Sequence, residues 1–166
     1  MASEYVKYVV DERAKRAINH PVPAYYYACN VIGGRWCQAE LIIMKDPKLA
    51  YDYARDVIGG RWPEVEPIIM KDPQLAYWYA SEVIKGRWFE AEPCIMKDPR
   101  SACGYAKDVI KGRWYQAELY IMNYPRWAYE YARDVIKGRW PEAEDIIMKD
   151  QYEWAQYRSR YANHTS

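Results

Sequence analysis

The hexapeptide VI(G/K)GRW begins at Val31, Val57, Val83, Val109 and Val135, always 26 residues after its predecessor. A strict period of this length confines the chain to a repeat architecture. Each copy is one small supersecondary unit that can bury its apolar face only against its neighbours. Five copies run from His20 to Lys149 of the 166 residues, leaving 19 residues before them and 17 after.

Each copy carries signals for two helices. Asp46, Asp72 and Asp98 stand immediately before Pro47, Pro73 and Pro99, the pattern of an N-cap followed by proline at the first helical position. Helix A follows, with Leu49, Ala50, Tyr53, Ala54, Val57 and Ile58 forming an apolar stripe of helical period. A helix of about 13 residues spans roughly 20 Å. Gly60 and its equivalents Gly34, Gly86, Gly112 and Gly138 stand where a left-handed residue closes a helix. Helix B is expected from about Trp62 to Met70, with its start displaced where Pro67 and Pro93 fall inside it. His20 takes the place of the Asp cap in the first copy and reads as its variant.

The expected fold is therefore all-α, a single-domain, right-handed α-solenoid of five helix-turn-helix repeats over residues 20–149. Residues 1–19 and 150–166 are expected to act as N- and C-terminal capping helices. At the start, Val6, Val9, Val10, Ala14, Ala17 and Ile18 suit an amphipathic opening helix. At the end, Asp150 and Tyr157 align with the Asp cap and the repeated Tyr, while Glu153 and Arg158 put charge where the repeats hold Leu and Ala.

Comparison of the copies separates structural from variable positions. Ala50, Tyr53, Ala54, Val57, Ile58, Trp62, Ile69 and Met70 are among those identical in all five, as are Gly60, Arg61 and Glu66. The invariant Trp and Tyr read as core, with the Tyr hydroxyl lent to the backbone or to the Arg–Glu pair. That pair recurs as Arg35 with Glu40, Arg61 with Glu66, Arg87 with Glu92, Arg113 with Glu118 and Arg139 with Glu144. It reads as a structural ion pair, since the matched acids would neutralise any phosphate-gripping Arg ladder. On helix A the variable positions 48, 52, 55 and 59 of the second copy fall on one outward stripe. Bulky residues at variable places, namely Tyr26, Trp78, Phe89, Tyr115 and Tyr120, are candidate partner-binding anchors. The later half of the stripe is basic, through Lys85, Arg100, Lys107, Lys111, Arg126, Arg133 and Lys137.

Composition narrows the function classes. A formal net charge of +1 argues against a protein whose main work is covering nucleic acid. Cys29, Cys37, Cys94 and Cys103 form no CxxC, and only His20 and His164 are present, so neither a metal centre nor a cofactor is expected. No phosphate-binding loop, GxSxG or HExxH occurs, which leaves an enzyme as the least favoured class. The opening MASEYVKYVVDERAKRAINHP interrupts its apolar residues with charges and lacks the core of a signal peptide. A cytoplasmic, monomeric protein with reduced thiols and no membrane partner is the expectation.

The longer motif YARDVIGGRWPEVEPIIMKDP, from Tyr53 to Pro73, returns as YARDVIKGRWPEAEDIIMK from Tyr131 to Lys149. It resembles tandem 26-residue helical repeats of bacteriophage and related viral or bacterial proteins. The resemblance implies a phage-type protein acting in the host cytoplasm and brings no assigned activity. Together with the contrast between fixed core and variable stripe, it points to a non-catalytic protein-binding scaffold that inhibits or redirects a host factor. Binding of nucleic acid or an acidic partner through the basic stripe is the second expectation, and self-association the third.

Overall fold

A computed structural model of the chain describes residues 12–161. Val6, Val9 and Val10 of the expected opening helix lie outside the described residues. Its described part is α1 (Glu12–Ala17), which buries Ala17. The regular structure of the described residues is all helical, joined by turns, with no strand among them. The chain divides into two compact units, the boundary falling between Ile69 and Met70.

The first unit holds two complete A helices. Helix α2 runs through Pro21–Tyr27 and continues as a wider turn over Ala28–Ile32. Helix α3 (Cys37–Ile43) follows, then α4, Pro47–Tyr53 continuing over Ala54–Ile58, and the short α5 (Glu66–Ile69). The second unit repeats the pattern. It comprises α6 (Pro73–Trp78, then Tyr79–Ile84), α7 (Glu92–Ile95), α8 (Pro99–Tyr105, then Ala106–Ile110) and α9 (Tyr115–Ile121). It closes with α10 (Pro125–Tyr131, then Ala132–Ile136), α11 (Glu144–Ile147) and α12 (Gln151–Tyr161). In this unit α6, α8, α10 and α12 stack side by side, and each helix B lies against its own helix A and the next. This is the all-α repeat packing expected from the period.

Local chemistry sets the helix starts. Asp46 Oδ1 accepts the backbone N–H groups of Lys48 and Leu49 at 2.9 and 3.0 Å, and Asp72 and Asp150 cap their helices in the same way. Asp98 instead takes the N–H and the hydroxyl of Ser101 at 2.8 and 2.6 Å. His20 keeps the extended backbone of a cap but makes no side-chain capping bond, so it is not a functional substitute for Asp. An imidazole lacks the short two-oxygen reach that meets N–H groups two and three residues on.

Helix B follows its prolines in the first four copies; in the fifth, Asp145 replaces Pro and α11 still begins at Glu144, after a 3-10 turn over Pro141–Ala143. Where Leu41 and Leu119 replace Pro, α3 and α9 begin at Cys37 and Tyr115. Where Pro67 and Pro93 occur, α5 and α7 begin one residue earlier than the proline, at Glu66 and Glu92. Proline is thereby moved into the first turn, where its missing N–H has no helical acceptor to lose.

The helix A termini correct one expectation. The left-handed residue is the variable one, Gly33, Gly59, Lys85, Lys111 or Lys137, with φ between 57 and 68°, and not the invariant glycine after it. The cause lies in the last turn, which is widened to i→i−5 bonding. The N–H of Gly59 reaches Ala54 O, and the N–H of Gly60 reaches the same carbonyl at 3.2 Å. The chain therefore reverses one residue earlier than an α-helical ending would require. An added Cβ at Gly34, Gly60, Gly86 or Gly112 would meet nothing within 4 Å, so neither crowding nor a left-handed backbone accounts for glycine there.

Candidate functional site

Helix A of one copy is tied to the preceding copy by the invariant Tyr, Trp, Arg and Glu. The buried Trp114 N–H donates to the Tyr131 hydroxyl at 2.6 Å, and that hydroxyl donates to Glu118 Oε1 at 3.1 Å. Glu118 in turn receives the Arg113 guanidinium through two bonds of 2.8 Å. The same set joins Trp36, Tyr53, Glu40 and Arg35, then Trp88, Tyr105, Glu92 and Arg87, and finally Trp140, Tyr157, Glu144 and Arg139. Arg61 and Glu66 form the same fork at 2.8 Å. Each invariant Tyr ring also tilts against the Trp of its own copy, with centroids 5.0–5.2 Å apart. Burial pushes the hydroxyls of Tyr53, Tyr105 and Tyr157 up to about 12, and Tyr131 further. All five Arg–Glu pairs are formed and all five GRW tryptophans are buried.

A second tie runs between neighbouring A helices. Tyr25 donates to Asp56 at 2.8 Å, and Tyr77 donates to Asp108 across the equivalent junction. The fourth copy has Cys103 at this Tyr position, and there Lys107 supplies the donor, reaching Asp134 at 3.1 Å. Arg133 also forks onto Asp134, and this fork, helped by Lys107, holds its carboxyl down at about 2. Burial pushes the Cys103 thiol up to about 12, opposite to the shift an activated nucleophile needs.

The candidate anchors divide. Phe89, Tyr115 and Tyr120 are exposed, at 64%, 67% and 45%, and so is Tyr26. Trp78 is not: it is half-buried, lining a 280 Å³ cleft with Tyr77, Arg100 and Trp127. Its position on helix A faces the adjacent A helix, so the supposed outward stripe is partly inter-repeat packing. Asp52 and Glu130, its equivalents, are likewise half-buried.

The comparison of copies did not single out Leu119 and Tyr124, which are 70% and 53% exposed. A usable signal was present, because Leu119 aligns with Asp145 and Tyr124 with Asp46. With Tyr115 four residues before Leu119, and Tyr120 four before Tyr124, they give α9 and its C-terminal exit an apolar outer face. Phe89 sits one copy earlier on the same side. The Arg87 and Arg113 guanidinium groups lie over the Phe89 and Tyr115 rings, at 4.6 and 4.9 Å from their centroids. Each ring therefore has one face held and the other open.

The basic residues also sort into two kinds. Arg126 pairs with Glu130 at 3.1 Å, while Arg133 and Lys107 are engaged with Asp134. Lys85, Lys111 and Lys137 are exposed on left-handed backbone. Lys111 and Lys137 line an open groove of about 1090 Å³ at the C-terminal ends of α8, α10 and α12. Lys107, Arg133, Arg139 and Arg160 complete its cationic wall, against the two carboxylates Asp108 and Asp134. Arg160 stands where the repeats carry Asp56, Asp108 and Asp134, so the last helix reverses the charge of that position.

Among the described residues no group of three His, Cys, Asp or Glu is placed to hold a metal ion, and no helix is long and apolar enough to cross a membrane. No protein-family model, curated protein or solved structure matches the chain.

Proposed function

We propose that the protein is a non-catalytic scaffold that binds another protein through the aromatic ridge of its second unit. The observation that carries this reading is the exposure of Phe89, Tyr115, Leu119, Tyr120 and Tyr124 on the helix-B side of adjacent copies. The fold does not require Phe89, Tyr115, Leu119 or Tyr124, because other copies place Pro63, Pro141, Asp145 and Asp46 at the same positions; Tyr120 stands where other copies have Ile42, Ile68, Cys94 and Ile146. Clustered exposed aromatics are the usual anchors of protein interfaces. The Arg stacking on Phe89 and Tyr115 lowers the rotamer freedom those rings have left to lose on binding. The resemblance to phage repeats adds a host factor as the class of partner.

The test replaces Phe89, Tyr115 and Leu119 together with Ser and compares proteins retained from host lysate with those retained by the unchanged chain. An unaltered unfolding midpoint with loss of the retained proteins is the expected outcome, since one interface anchor contributes about 2 kcal/mol or more. Retention of the same set by the triple variant refutes the ridge. Sedimentation equilibrium covers the homotypic case: a mass that rises above 19.8 kDa with concentration, and no longer rises in the variant, reassigns the ridge to self-association.

A further inference from the structure

The groove at the ends of α8, α10 and α12 has a second, separate character. Lys111 and Lys137 hold φ values of 60 and 57°, a left-handed backbone that costs a residue with a Cβ about 1–2 kcal/mol. The first two copies avoid this with Gly33 and Gly59. Attraction of a cation to a helix C-terminus returns about 0.3–1 kcal/mol, which does not exceed the strain. Neither ammonium group makes an ion pair with a described residue, and both line the groove, as does Arg160. Strain kept at exposed, unneutralised cations that share a concavity is the pattern of a binding position.

We propose that this groove binds a short acidic segment of a protein partner, with carboxylates set against Lys111, Lys137 and Arg160. The inference rests on the protein-binding reading but uses a different surface from the ridge. Charge complementarity supports it: of the six cations lining the groove, Lys107 and Arg133 are held by Asp134 and Arg139 by Glu144, Asp108 takes the Tyr77 hydroxyl, and Lys111, Lys137 and Arg160 make no ion pair with a described residue. A nucleic-acid strand is the poorer occupant. Strand-binding grooves stack bases on aromatic rings, and the aromatic residue lining this groove, Tyr161, is buried with its hydroxyl on Ala132 O at 3.3 Å. Spacing favours a peptide too. Packed helices lie about 8–10 Å apart, and a polyproline II chain, with three residues per turn and about 3.1 Å per residue, returns to the same face about every 9 Å, so an acid at every third position meets successive copies.

The experiment titrates the full chain with a nine-residue proline-rich peptide of polyproline II form carrying Glu at every third position, followed by fluorescence anisotropy. Its Gln counterpart and a single-stranded DNA oligonucleotide of equal charge serve as the comparison probes. Expected results are binding of the Glu peptide that weakens as salt rises, and at least a tenfold loss in Lys111→Gly/Lys137→Gly. That variant should unfold at the same or a higher temperature, which excludes misfolding as the cause. The proposal is overturned by no binding, by equal binding of the Gln peptide, by undiminished binding to the glycine variant, or by tighter binding of the oligonucleotide. Phe89→Ser/Tyr115→Ser/Leu119→Ser should bind the Glu peptide normally. If the groove fails while this variant still loses its retained proteins, the ridge reading stands alone.

Discussion

Replacing Tyr131 with Phe removes one oxygen from the most repeated polar arrangement in the molecule. The ring, fully buried and 5.1 Å from Trp140, keeps its packing. The change leaves the Trp114 N–H without its 2.6 Å acceptor in an apolar setting. An orphaned buried donor costs about 1–3 kcal/mol. Glu118 loses its 3.1 Å hydroxyl contact but retains the double bond to Arg113, so its share is about 1 kcal/mol or less. The expected loss is about 2–3 kcal/mol. For a chain of this size that lowers the thermal midpoint by about 4–12 °C. Urea unfolding followed by far-ultraviolet circular dichroism measures it, with the exposed Tyr152→Phe as a control expected within about 0.5 kcal/mol of the parent. A double-mutant cycle with Glu118→Gln should show coupling of about 0.5 kcal/mol or more, since the two groups touch. A loss no larger than that of Tyr152→Phe would refute the argument that the hydroxyl, and not the ring alone, holds adjacent copies together.

The same hydroxyls predict alkaline behaviour. Their protonated form is favoured in the folded chain, so their contribution is complete below pH 10 and is lost as pH rises through about 12. Helicity and tyrosine ionisation should therefore change together in that window, and ionisation of all tyrosines near pH 10 with helicity intact would contradict the burial of these groups. At the helix termini, Lys111→Gly and Lys137→Gly should each stabilise the chain by about 0.5–1 kcal/mol. Release of left-handed strain outweighs the added freedom of the unfolded glycine. Destabilisation in urea would show that the lysines repay their strain within the fold.

Features written in short-range chemistry were legible before the structure. Asp46 before Pro47 announces a cap because all of its hydrogen bonds lie within three residues. Arg61 and Glu66 announce a pair because five residues separate them across one turn. The left-handed position was misplaced because Gly60 carries the usual signal for it, whereas the i→i−5 closing turn that moves it forward to Gly59 has no residue signature. Trp78 looked exposed because helix A has an outward stripe in isolation, while its neighbour α8 covers part of that stripe. The groove was half legible. Its lysines stood out by type, but the engagement of Lys107 and Arg133 depends on Asp134 in the next copy, and Arg160 joins them only when α12 is docked.

Within each unit the bonds between copies have a direction: the earlier copy offers a backbone N–H and a carboxylate, and the later one receives them with a single tyrosine hydroxyl. Plug and socket are therefore identical at each of these joints, and a whole 26-residue copy inserted or deleted there in register orphans none of these buried polar groups. A deletion out of register always strands one. Tyr157, carried by a helix that puts Glu153 and Arg158 where the repeats hold Leu and Ala, fills the last socket.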